Sequence, residues 1–266
     1  MIESQNLVQI KYRTLLKLVL QTPIAADRMQ LSISPNKVSI LEENLSLQQD
    51  FSERRENNWG SQLGFWSALV STLLGVVYFG VILGTIITGN FTFPPPEPIQ
   101  IIAGIISLLF CPIFLVVMAS LHAKTPANKK IFSQIGLALA ILFAISVSIN
   151  RFIQLGIVRQ NIAIGGVDWF LPYGSHSVMF GLEIMGWGWF LGLAMIFTAP
   201  LFSRGRLEIW LRWLSVSYGA LGLVSALGQL LASPIIMVGF IAWGMILFII
   251  TALLAVYFRR GENAYS

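Results

Sequence analysis

Between residues 61 and 258 the chain carries six apolar stretches, each close to the length a helix needs to cross a hydrocarbon core of roughly 30 Å. A backbone entering lipid must satisfy its own N–H and C=O groups. Six such stretches without alternating polarity therefore restrict the chain to an all-α membrane bundle of six helices. The expected spans are 61–88, 99–121, 131–149 with a helical extension, 177–202, 207–231 and 235–258. With 56% hydrophobic and 11% charged residues, a water-soluble domain is excluded.

The basic residues orient this bundle. Lys124, Lys129 and Lys130 fall in the second connection and Arg204 and Arg206 in the fourth. Arg54 and Arg55 precede the first span, and Arg259 and Arg260 follow the last. The first connection, GNFTFPPPEP, and the tight fifth one near Ser233 and Pro234 hold no lysine or arginine. Basic connections stay cytoplasmic, so both termini are expected there, and only the third connection leaves the rule undecided. The same placement beside lipid headgroups accounts for much of the net charge of +5 without nucleic acid as a partner.

Three regions follow: a polar, partly disordered cytoplasmic segment at 1–58, the transmembrane domain at 59–260, and a short cytoplasmic tail at 261–266. No continuous apolar core follows Met1, so no cleaved signal peptide is expected. Residues 7–21 could form a short helix carrying Lys11, Arg13 and Lys17, either on a lipid surface or as a solvated arm; the three charges do not share one face. Residues 31–40 alternate around Pro35 and Asn36, the pattern of a hairpin or of a disordered strip.

Inside the spans, Gly80 with Gly84 and Gly188 with Gly192 form two GxxxG pairs, expected to be packing seams within the bundle. Trp59, Trp66, Trp169, Trp210 and Trp213 fall near span ends, where indole prefers the headgroup region, while Trp187 and Trp189 lie deeper as packing or pocket wall. The single cysteine, Cys111, lies in an apolar run and reads as packing.

Glu183 is the costliest residue, about two turns into the fourth span. Such a carboxylate needs a cation, a proton or a hydrated cavity. His176 lies seven residues earlier on nearly the same face. In the third span Ser146, Asn150 and Gln154 recur every fourth residue, and the adjacent Arg151 is the natural partner for Glu183. The fifth span adds Tyr218, Gly222, Ser225 and Gln229 in a narrow sector. If the stripes converge, they enclose a small-molecule site lined by Glu183, Arg151, His176, Asn150, Gln154, Tyr218, Ser225 and Gln229. If they do not, the same groups are interhelical glue worth on the order of 1 kcal/mol each. On the first reading Glu183→Gln should reduce function and spare stability.

No phosphate-binding loop, HExxH zinc site or GxSxG elbow occurs, and no lysine lies inside a span for a Schiff base. No metal or cofactor is indicated, and an enzyme is the less favoured class.

GFWSALVS in the first span, KKIFSQIGLALAI and SINRFIQLGIVRQN in the third, GWGWFLGLAMIFTAPLF in the fourth, and RLEIWLRWLSVSYGALGL leading through the fifth give the chain a resemblance from about Trp59 onward. It resembles a family of small, uncharacterised, multi-pass bacterial membrane proteins. The resemblance implies an integral protein of the inner membrane and carries no activity across. Two readings remain: a carrier or ligand-binding bundle for a small polar or amphipathic molecule, and a non-transporting assembly partner or stress-response sensor.

Overall fold

The computed structural model describes residues 35–90, 92, 94–162, 165–173 and 177–263. Among them six helices are long and apolar enough to cross a membrane. The first, α1, runs from Pro35 to Ile87 (Pro35–Ile87), its apolar part beginning at Trp59. The others are α2 (Glu97–Lys124), α3 (Ala127–Asn161), α4 (Val178–Leu201), α5 (Gly205–Leu230) and α6 (Pro234–Arg260). No strand occurs among the described residues. Residues 35–40 are helical, which corrects the hairpin considered at 31–40 as far as the described residues reach: proline is at home in a first helical turn, where its missing N–H has no partner to lose. The surface helix considered at 7–21 lies outside the described residues.

Residues 1–55 and 56–266 form two separate units, and the bundle belongs to the second. Within it α2 packs on α3, α3 on α4, α4 on α5 and α5 on α6. The buried share of the most apolar stretch rises from 11% in α1 to 56% in α4, which makes α4 the central helix and α1 a peripheral one. Lipid is as apolar as leucine, so close packing must hold these helices together, and small residues permit it. On α4, Gly186 lies against Ser146 and Val147 of α3, and Gly188 and Gly192 meet Gly222 and Gly219 of α5. The second GxxxG pair is thus an internal seam. Around Gly80 and Gly84 an added Cβ would meet nothing within 4 Å, so the first pair seams nothing among the described residues. α1 packs instead on α6, with Gly75 under Phe248 and Thr72 Oγ1 donating to Thr251 Oγ1 at 3.0 Å.

The basic connections gather at one end. Lys129 Nζ donates to the Leu201 carbonyl (3.1 Å) at the close of α4, and Lys130 Nζ donates to the carbonyls of His122, Ala123 and Thr125 at the close of α2. Lys124 Nζ stands 5.4 Å from the Tyr257 ring of α6. These lysines cap helix C-termini, where carbonyls lack partners and the dipole favours a cation. Glu208 does the converse for α5, accepting from the N–H groups of Ser203 and Arg204 at 2.8 and 2.7 Å. At the other end α5 stops in a Schellman turn: Ser233 N–H donates to the Gly228 carbonyl and Ala232 N–H to that of Gln229. Ala232 takes the left-handed position, φ +49°, usually held by glycine.

Three helices contain one wide, π-helical turn: Gln154–Val158 in α3, Met185–Phe190 in α4 and Ala242–Ile246 in α6. Such turns carry an extra residue and concentrate at functional sites. The Trp187 indole, in the second of them, packs on Phe110 and on Phe143, 4.8 Å away, and Phe114 and Phe248 extend this aromatic cluster through the two phenylalanines. Trp59, Trp66, Trp169, Trp210 and Trp213 are exposed, and Cys111 is buried.

Candidate functional site

Antiparallel pairing of α3 with α4 sets Ser146 opposite Gly186 and Asn150 opposite Glu183. Four side chains then close a ring. Glu183 Oε1 accepts from Arg151 Nη2 and, at 2.7 Å, from Trp187 Nε1, while Oε2 accepts from Asn150 Nδ2. Arg151 Nη1 donates to Gln154 Oε1 at 2.9 Å, and Gln154 Nε2 donates to Asn150 Oδ1 at 2.9 Å. The two ends pin every amide in the ring. A carboxylate only accepts and a guanidinium only donates, so Asn150 must turn its NH2 to Glu183 and Gln154 its oxygen to Arg151.

Asn150 is wholly buried, and the Arg151 and Glu183 side chains retain 8% and 13% of their exposure. Charges so withdrawn from water persist only when paired and hydrogen-bonded, as these are. One donor stays unmatched: Arg151 Nε is buried with no acceptor among the described residues.

The pair faces a chamber of about 50 Å³. Arg151, Glu183 and Trp187 line it together with Tyr78 of α1 and Ser107 of α2; Phe180, Phe240, Trp243 and Phe248 contribute aromatic wall. At roughly 10–15 Å³ per water by this measure, it has room for about four waters or a group of about four heavy atoms. A second cavity of about 230 Å³ lies among Pro94, Glu97, Gln100, Gln154, Arg159 and Ile162. Pro172 and Tyr173 line both cavities and stand between them. They are tethered by Ser177, whose Oγ donates to the Leu171 carbonyl and accepts from Phe180 N–H, capping α4. Burial pushes the Tyr173 phenol up to about 12, against a smaller opposing pull from Arg151, so it remains an O–H group at neutral pH. The Glu97 and Arg159 pair at the mouth, 3.2 Å apart, is exposed and contributes little.

Of the residues singled out in the sequence, Glu183, Arg151, Asn150 and Gln154 come together in the ring. His176 lies outside the described residues. The α5 stripe goes elsewhere, so convergence is limited to α3 and α4. Tyr218 Oη donates to the Trp187 carbonyl at 3.1 Å, behind the chamber. Ser225 Oγ donates to the Ile236 carbonyl at 2.6 Å, joining α5 to α6. Gln229 faces a shallow outer groove beside Trp189 and Ala226. Trp187 enters the site as a hydrogen-bond donor as well as wall.

Tyr78, Ser107, Tyr173, Phe180 and Trp243 escaped sequence reasoning because aromatics and small hydroxyls in apolar runs follow no polar period. The one available signal was a hydroxyl-bearing aromatic, Tyr78, in mid-span. No group of three or more His, Cys, Asp or Glu able to hold a metal occurs among the described residues. Comparison with protein families, curated proteins and solved structures yields no match for this chain.

Proposed function

We propose that this is a bacterial inner-membrane protein, both termini cytoplasmic, that binds a small polar molecule in the Arg151 and Glu183 chamber as a carrier or ligand-binding bundle. The observation that carries the reading is that the buried charged pair lines a cavity instead of a packed seam. A buried ion pair is a poor stabilising device compared with apolar packing, which favours a use at the cavity it faces. The test is a melting screen of a metabolite panel on protein purified in detergent, run on wild type and on Ala103→Leu. Ala103 lines the chamber and makes none of the ring's hydrogen bonds, so the longer side chain should fill the chamber and spare the ring. At least one compound should raise the wild-type melting temperature and leave the variant unmoved. A panel that shifts neither, or both alike, overturns the reading.

The proposed orientation is supported by the gathering of Lys124, Lys129, Lys130, Arg204, Arg206, Arg259 and Arg260 at one end. A cytoplasm-only fluorescent reporter fused to the C-terminus should fluoresce, and the same reporter placed in the connection before Glu97 should stay dark. The reverse pattern inverts the topology. A second reading, an assembly partner without a ligand, is favoured by the open face at Gly80 and Gly84. A partner-only protein gives no ligand-dependent melting shift.

A further inference from the structure

The ring satisfies its acid more fully than its base. Glu183 accepts from three donors, on Arg151, Trp187 and Asn150. Arg151 spends N–H groups on Glu183 and Gln154, and its Nε–H is left buried without an acceptor among the described residues. Arg151 lines the chamber, and a guanidinium carries five N–H donors and no acceptor, so the group it can take from the chamber is an oxygen acceptor. The pair is already electroneutral. An anion brought beside Arg151 also stands beside Glu183, and a cation beside Glu183 also stands beside Arg151. In a small cavity walled by aromatic rings, either added charge gives up most of its hydration and finds no net counter-charge. A neutral group meets no such penalty.

We propose that the chamber binds a small neutral molecule through a carbonyl-type oxygen, in preference to an anion or cation of the same shape. This rests on the ligand-binding reading above and narrows it. The volume suits a planar group of about four heavy atoms: an amide, a urea, a ketone or an aldehyde. Ser107 favours the amide among these. Its Oγ donates to the Ala103 carbonyl at 2.8 Å, which leaves the oxygen's lone pairs to accept an amide N–H.

Acetone, acetamide, acetate and acetamidinium are nearly isosteric, carry a methyl reporter and differ in charge. Saturation-transfer NMR on the full-length chain in deuterated detergent would compare them. Acetamide and acetone should receive saturation, with acetate and acetamidinium binding at least about tenfold more weakly. Ala103→Leu should abolish the neutral-probe signal while the protein still melts cooperatively. Ala103→Val, a smaller filling change at the same wall, serves if the first variant misfolds. Chamber-dependent binding that favours acetate or acetamidinium overturns the neutral preference and leaves the ligand-binding reading standing. No signal, or a signal indifferent to the filling variants, overturns both.

Discussion

Glu183→Gln should lower the melting temperature by on the order of 10 °C, the effect of losing about 3–5 kcal/mol when one partner of a buried ion pair is removed. The ring explains why the isosteric amide is not absorbed. Gln at 183 can keep its oxygen toward Arg151 and Trp187, but its NH2 then meets the Asn150 NH2. Turning Asn150 over moves the conflict to Gln154, and turning Gln154 moves it to Arg151, which can only donate. Every arrangement leaves two donors facing each other in a buried site, with Arg151 uncompensated. Replacing both charges, Glu183→Leu with Arg151→Met, should recover part of the lost stability: no buried charge is left unpaired, while Trp187 Nε1 and Asn150 Nδ2 lose their acceptor. Melting curves of the two variants beside wild type decide the matter. An unchanged melting temperature for Glu183→Gln would show that the ring is not formed. The sequence-based expectation that this substitution spares stability is therefore replaced, and Ala103→Leu is the cleaner probe of function.

Gly188→Ala should cost about 2–3 kcal/mol by forcing α4 away from α5. A Cβ at Gly188 would lie 2.7 Å from the Gly222 carbonyl oxygen, and one at Gly222 would lie 2.9 Å from that of Gly188. Both obstacles are backbone, so no flexible side chain can yield. The matched control lies in the same chain. Gly80→Ala and Gly84→Ala meet nothing within 4 Å and should hold or slightly raise the melting temperature, since alanine is the better helix former. Equal melting for Gly188→Ala and Gly84→Ala would remove the seam from the account.

The six-helix layout was legible because apolar length is a property of composition, which the bilayer reads directly. The partnership of Arg151 with Glu183 was legible too, since each would be costly alone in lipid. The α5 stripe misled for a physical reason. Tyr218, Ser225 and Gln229 share a sector on an ideal wheel, yet a hydroxyl is satisfied by whichever backbone carbonyl its neighbour offers: Trp187 in one case, Ile236 in the other. The aromatic wall was illegible because Phe180 and Trp243 differ in no local pattern from aromatics that merely fill a core. The basic connections carried a second meaning that charge counting does not reveal: Lys129 and Lys130 terminate helices as well as marking a side.

The wide turns at 154–158, 185–190 and 242–246 also bear on how this chain tolerates changes in length. Deleting one residue from a regular turn of α4, such as 191–198, swings everything beyond it by about 100° and carries Gly192 or its successors off α5. Deleting one from 185–190 instead lets the turn close to ordinary helical pitch, with the flanking segments keeping their faces. The bundle would survive such a deletion, whereas removal of Met185 shortens the Glu183-to-Trp187 spacing from four residues to three and loses the aim of the indole at the carboxylate. Scaffold and chamber thus answer to different classes of mutation: substitutions at the glycine seam break the first, and a single-residue deletion at a wide turn that spares Gly186 and Gly188 falls on the second.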